Sequence, residues 1–159
     1  MLLKNPETNS FNLRERPGET NEVACAKNCG KSKMEIAKII DHTNLRADAT
    51  EEDIVKLCKE AKQYEFRSVC INPRWAKLAK SQLKGTDIKV VVVIDWPNGA
   101  SPSDVRLFQA ERAKKDGADE IDPVLDIGNI KMGNYDLVKS ELSKLANVLP
   151  TKLIIETGY

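Results

Sequence analysis

From Met34 onward the chain alternates short apolar runs with amphipathic segments, whereas residues 1–33 show no sustained period. Strand candidates lie near Ile39–Thr43, Arg67–Asn72, Ile88–Asp95, Asp119–Asp126 and Lys152–Thr157. Between them, Thr50 and Asp53 have the spacing of a capping box, and Ile54, Leu57, Cys58 and Ala61 recur at i, i+3, i+4 and i+7 of the helix it would open. Pro73 suits a first helical turn, with Trp75, Leu78 and Ala79 on one stripe, and Val138, Leu142, Leu145 and Leu149 mark the buried face of a last helix. Strands alternating with helices imply parallel βαβ units joined by right-handed crossovers.

Side chains alternate along a strand, so the pattern also says which residues share a face. Ser68, Cys70 and Asn72 oppose Val69 and Ile71; Glu120 and Asp122 oppose Ile121 and Leu125; Glu156 opposes Leu153 and Ile155. An open doubly wound sheet is covered by helices on both faces and is apolar on both, whereas a barrel carries polar groups toward its lumen and mouth. The polar face therefore favours the barrel. Active sites of such barrels lie at the C-terminal strand ends. That rule gives a ring of polar groups: Asp41 and Thr43 ending strand one, Asn72 strand two, Asp95 strand three, Asp122 toward the end of strand four, and Glu156 and Thr157 ending strand five.

Composition narrows the class. With 25 Lys+Arg against 24 Asp+Glu, the 159-residue chain has a formal net charge of +1, so nothing draws it to nucleic acid or to an anionic membrane. A small-molecule partner is expected instead. The N-terminus lacks the apolar run of a signal peptide, its early acids argue against a transit peptide, and no stretch approaches the ~18 apolar residues of a spanning helix. Four cysteines make no disulfide framework, and Cys58 and Cys70 fall in core elements, which favours a cytoplasmic location. Residues 1–33 are read as a polar, disordered tail. Its Cys25 and Cys29 are incidental thiols rather than half of a metal site, because no second ligand pair follows. Residues 34–159 form the folded domain.

Four ordered motifs now carry a resemblance: Ile40-Asp41-His42-Thr43-Asn44-Leu45, Ser68-Val69-Cys70-Ile71-Asn72-Pro73, Gly117-Ala118-Asp119-Glu120-Ile121-Asp122 and Ile154-Ile155-Glu156-Thr157-Gly158. In this order and spacing they resemble the 2-deoxyribose-5-phosphate aldolases, from about Glu35 to Tyr159. The resemblance implies an α/β fold, a (β/α)8 TIM barrel, truncated here to about five βα units. It further implies a class I aldolase that reversibly splits 2-deoxy-D-ribose 5-phosphate into glyceraldehyde 3-phosphate and acetaldehyde through a lysine Schiff base, with no metal or other cofactor. By the same likeness Asp122 is the catalytic carboxylate that moves protons together with a lysine, and Asp41, Thr43 and Cys70 line the substrate pocket. A carboxylate beside lysines can shuttle protons and help set the amine pKa that nucleophilic attack requires. Cys70 fits a small barrel-filling residue as well as a substrate contact.

Departures from that family matter equally. Its Schiff-base lysine lies on strand six, its second lysine on strand seven and its phosphate loops beyond, so no Schiff-base lysine is expected in this chain. Lys89 and Lys152 begin their strands and are expected to point to the opposite end of the barrel; Lys131 is expected in a solvated loop, its ammonium at an ordinary high pKa. Pro123 removes a ladder donor directly after Asp122, which is disfavoured inside a sheet and would shift the carboxylate. Asp95 stands where the family carries Gly or Asn; it either caps the following turn or places negative charge at the mouth, and the cap is preferred. His42, the lone histidine, is expected to face away from the lumen as a packing residue.

Three functional readings follow. The first is the N-terminal part of an aldolase acting on a small phosphorylated sugar, completed by a complementary C-terminal fragment. The second is a non-catalytic relic that binds a partner. The third makes Asp41, Asp95, Asp122 and Glu156 a divalent-metal site, since hard oxygen ligands suit Mg²⁺. A full barrel runs to ~250 residues, so a five-strand arc would expose strands one and five as edges. Exposed edges invite association, which points to either a homo-oligomer or that complementary fragment.

Overall fold

A computed structural model of the chain describes residues 36–159; the expected tail and its two cysteines lie outside the described residues. Four parallel strands, β1 (Asp41–Asn44), β2 (Ser68–Ile71), β3 (Lys89–Ile94) and β4 (Glu120–Pro123), pair in sequential order. Helix α1 (Glu51–Gln63) joins β1 to β2; a 3-10 turn (Pro73–Trp75) and α2 (Ala76–Gln82) join β2 to β3. Helix α3 (Ser103–Lys115) leads to β4, and α4 (Ile127–Lys131) and α5 (Tyr135–Ala146) follow it.

The expected capping box opens α1. Thr50 N–H donates to the Asp53 carboxylate at 2.8 Å and Asp53 N–H to the Thr50 hydroxyl at 3.3 Å, satisfying donors that the first turn cannot pair internally. The α1 stripe Ile54, Leu57, Cys58 and Ala61 is buried against the sheet, where it meets Val69, Ile71, Val90, Val92, Ile94 and Ile121. Each large aliphatic side chain so buried contributes roughly 1.5–3 kcal/mol before entropy is counted. All of this apolar packing lies on one face. Among the described residues, the apolar cluster of the opposite face is small: Cys70, Val91 and Val93, with Leu45 and Ile154 against them. A doubly wound sheet reverses its strand order and carries helices on both sides; sequential order with one-sided helices is the wall of a (β/α)8 barrel.

The fifth strand departs from expectation. Residues 150–154 do run parallel to β4, through Ile121 N–H to Pro150 O at 2.9 Å, Lys152 N–H to Ile121 O at 3.0 Å, Ile154 N–H to Pro123 O at 3.0 Å and Leu125 N–H to Ile154 O at 2.9 Å. Yet only two isolated bridges form, Ile121 with Thr151 and Val124 with Ile154. In a parallel ladder the two bridges between these would both use an N–H at position 123. Proline has none, so Pro123 divides the pairing in two. The segment also ends earlier than expected, because Glu156 adopts φ +49° and turns the chain.

Candidate active site

Alternation places Asp41 and Thr43 of β1, Ser68 and Cys70 of β2, and Glu120 and Asp122 of β4 on the helix-free face, as expected from the sequence. Asp41, however, begins β1 rather than ending it, since the ladder starts with Asp41 opposite Ser68 and the preceding Ile39 and Ile40 are exposed outside it. It therefore sits at the N-terminal end of the face, where its carboxylate accepts from Ser68 Oγ at 2.5 Å and Arg67 Nη1 at 2.8 Å.

Lys152 corrects the sequence reading most sharply. It begins the fifth segment, a position from which the sequence reading directs it to the opposite end of the barrel. Instead it shares the lumenal face with Asp122, and its four-carbon stem carries the ammonium Nζ to 2.6 Å from Asp122 Oδ2, 2.7 Å from Asp41 Oδ2 and 3.4 Å from Glu120 Oε1. Asp122 itself is 4% exposed, and its second oxygen, Oδ1, is buried with no hydrogen-bond partner among the described residues. Cys70 Sγ approaches Oδ2 at 3.9 Å. The site is thus a buried carboxylate with one oxygen held by an ammonium and the other without a hydrogen-bond partner among the described residues.

The electrostatics follow from burial and charge. Burial raises the pKa of Asp122 above the ordinary aspartate value; Lys152 pulls it down and the Glu120 and Asp41 charges push it up, and the net shift is upward. Burial also opposes ionisation of Asp41, but hydrogen bonds from Lys152, Ser68 and Arg67 outweigh it and hold the group below the ordinary value. Lys152 loses solvation too, yet the Asp122 and Asp41 carboxylates more than compensate and raise its pKa. An ammonium so paired is a poor nucleophile. Burial first, and Asp122 second, push the Cys70 thiol up to about 12, so it stays protonated.

The remaining candidates are placed as follows. Thr43 is exposed and its hydroxyl donates to Asp41 O at 2.8 Å. Asn72 lies just beyond β2, its amide 3.4 Å from Arg46 O. Asp95 adopts φ +57°, a left-handed conformation that Gly, Asn and Asp tolerate best. Its carboxylate accepts from Ser101 N–H at 2.8 Å and Ser101 Oγ at 2.6 Å, so it caps the loop after β3 rather than charging the mouth. Gly99 in the same loop has φ +63°, and a Cβ there would lie 2.5 Å from Leu125 O. His42 turns outward to Glu60 at 2.8 Å and packs on Phe66, as expected. Lys89 is exposed at the start of β3; Lys131 ends helix α4 instead of lying in a loop, 5.4 Å from the Tyr159 ring centroid. Among the described residues no group of three or more His, Cys, Asp or Glu is arranged to hold a metal ion, so the four carboxylates of the metal reading are not brought together. Nor, among the described residues, is any helix long and apolar enough to cross a membrane.

Beneath the loop lies a network that the sequence did not reveal. Arg106 of α3 is fully buried, bonded to Glu141 of α5 and to the Val124 carbonyl at the end of β4, with Nε 3.6 Å from Asp95; Glu141 also accepts from Ser103. It ties the C-terminal ends of β3 and β4 to two helices.

The DeoC/LacD family aldolase model matches residues 35–146. The chain belongs to the DeoC/LacD family of aldolases. It is 51% identical over 133 residues to a deoxyribose-phosphate aldolase of Thermococcus gammatolerans, covering 79% of this chain and 59% of that relative. A deoxyribose-phosphate aldolase of Clostridium botulinum is 49% identical over 127 residues, covering 78% and 60%. Among solved structures, the tetrameric deoxyribose phosphate aldolase of Aeropyrum pernix superposes with a TM-score of 0.65 at 28% identity, covering 88% of this chain and 61% of that one. The chain thus spans about three fifths of the length of these DeoC/LacD relatives. Cys70, Asp122 and strands β1 to β4 fall within the residues that the family model matches, and Lys152 lies six residues beyond them.

Proposed function

We propose that this chain supplies the proton-handling half of a class I deoxyribose-phosphate aldolase site, with Asp122 as its working carboxylate. The observation that carries this is the pair of Asp122 and Lys152, one carboxylate oxygen held at 2.6 Å and the other buried without a hydrogen-bond partner among the described residues. In the reaction, a lysine amine condenses with the C1 aldehyde of 2-deoxy-D-ribose 5-phosphate and expels water. Loss of the C3 hydroxyl proton breaks the C2–C3 bond, glyceraldehyde 3-phosphate leaves, and the electron pair enters an enamine that is protonated at C2 and hydrolysed to acetaldehyde. These steps require a group that takes and returns protons without leaving the site. A buried carboxylate with a raised pKa has that property, and Lys152 steadies its anionic form. Cys70 and Thr43 border the same face, and Asp41 anchors Lys152 from below. The amine that forms the imine lies outside these 159 residues. The sugar phosphate is the substrate class, and association with further polypeptide, either a complementary segment or copies of the chain itself, closes the lumenal face; self-association is in keeping with the tetrameric Aeropyrum pernix relative.

The test joins this chain to the C-terminal two fifths of the Thermococcus gammatolerans relative and follows cleavage of 2-deoxyribose 5-phosphate. Activity in the joined protein, abolished by Asp122→Asn, is the expected result. Activity that survives Asp122→Asn would overturn the role of Asp122.

A further inference from the structure

Below Asp122 the lumenal face carries two more carboxylates, Asp41 and Glu120, and one more cation, Arg67, at the position just before β2. Arg67 Nη1 lies 2.8 Å from Asp41 Oδ1 and 3.3 Å from Glu120 Oε1, while Nη2 pairs with Glu120 Oε2. Lys152 touches the same two carboxylates through Asp41 Oδ2 and Glu120 Oε1 and alone continues to Asp122. Three carboxylates thus share two cations, and the planar guanidinium spans the outer two from β1 to β4.

We propose that Arg67 is a positioning residue that keeps the Lys152 ammonium on Asp122 by satisfying Asp41 and Glu120. The inference rests on Asp122 as the proton carrier, but the geometry it concerns exists in this chain regardless of turnover. Without the guanidinium, Asp41 and Glu120 retain one cation between them, and both attract Lys152 away from Asp122. Their uncompensated charges also act directly on Asp122 through a poorly solvated lumen. Both effects favour the protonated form of Asp122. A guanidinium suits this task because its rigid fork meets two carboxylates at once, which a lysine ammonium does with less geometric control. The charged and titratable groups facing Asp122 are Cys70 from β2, Lys152 from the fifth segment, Glu120 on its own strand and Asp41 from β1; β3 presents Val91 and Val93.

The experiment titrates Asp122 in the 159-residue chain by carboxyl ¹³C NMR, its resonance assigned with Asp122→Asn, in the parent, Arg67→Gln and Arg67→Lys. The expected result is a midpoint raised by about half a pH unit or more in Arg67→Gln, with a smaller rise in Arg67→Lys. A purely structural role would lower the melting temperature and leave the midpoint in place. An unchanged Asp122 midpoint in a folded Arg67→Gln protein overturns the proposal; if that variant does not fold, an unchanged midpoint in Arg67→Lys does so. Because no substrate is used, loss of the aldolase reading would appear only in the cleavage assay and would not alter this outcome.

Discussion

Lys152 and Asp122 face each other across a gap in the backbone ladder, with Nζ 2.6 Å from Oδ2 and no N–H at Pro123 to close the two bridges beside them. The side-chain ion pair holds the strands together at the point where the backbone does not. The worth of the pair falls as acid protonates Asp122, whereas the net contribution of each carboxylate, burial included, follows the direction of its own shift. Asp122, with a raised pKa, favours the fold fully below the ordinary aspartate value and loses that contribution as pH rises through its folded pKa; Asp41, with a lowered pKa, contributes above the ordinary value and loses it as pH falls through its folded pKa.

Lys152→Met leaves both carboxylates without their shared cation. Lys152 is half exposed, so water screens part of the loss, and the expected destabilisation near neutrality is about 1–3 kcal/mol. It should shrink toward zero as acid protonates Asp122 and then Asp41. Urea unfolding of both proteins across the acid limb checks this; a difference independent of pH would count against the ion pair.

Pro123→Met restores a donor aimed at the Lys152 carbonyl. The new hydrogen bond is worth about 0.5–1.5 kcal/mol, while the freed unfolded chain takes back about 0.4–1 kcal/mol, so the melting temperature should move little. Hydrogen exchange is the discriminating readout. The amide at position 123 should be protected to the same degree as those of Ile121 and Leu125, and rapid exchange there would refute the account of the divided strand.

Arg106→Ala strands Glu141 and the Val124 carbonyl in the core. Removing one partner of a buried ion pair costs about 3–5 kcal/mol, measured by chemical denaturation. Protection of the Ser101 amide should fall with it, because Asp95 loses its neighbouring charge. A loss under about 1 kcal/mol would show that the network is dispensable.

Cys70 should resist iodoacetamide in the native protein at mildly alkaline pH, since burial and Asp122 hold its thiol up to about 12. Peptide mapping after brief alkylation checks this, and prompt labelling of Cys70 would contradict its burial against Val91 and Val93.

Much of this arrangement was legible in the sequence because it rests on short-range rules. Thr50 and Asp53 announced α1, and strict alternation placed Cys70 and Asp122 on one face. Lys152 was misplaced because strand position fixes where Cα lies and not how far a long flexible stem reaches. Helix α3 gave no periodic signal, since it buries Arg106 with two alanines and exposes Val105 and Phe108. Arg67 and Glu141 escaped for a related reason: a charge is read as solvent-facing unless its partner, 53 or 35 positions away in sequence, is known. Pro123 was recognised as a missing donor, but which neighbour lost the bond depended on the register of residues 150–154.

The most direct test of the division of labour is borohydride reduction of the 159-residue chain in the presence of acetaldehyde, followed by mass mapping of every lysine. On the proposal that the nucleophile lies outside these residues, and with Lys152 held as an ammonium, no stoichiometric adduct is expected. A single reproducible adduct on one lysine, at Lys152 or elsewhere, would place the imine within these residues and contradict the account.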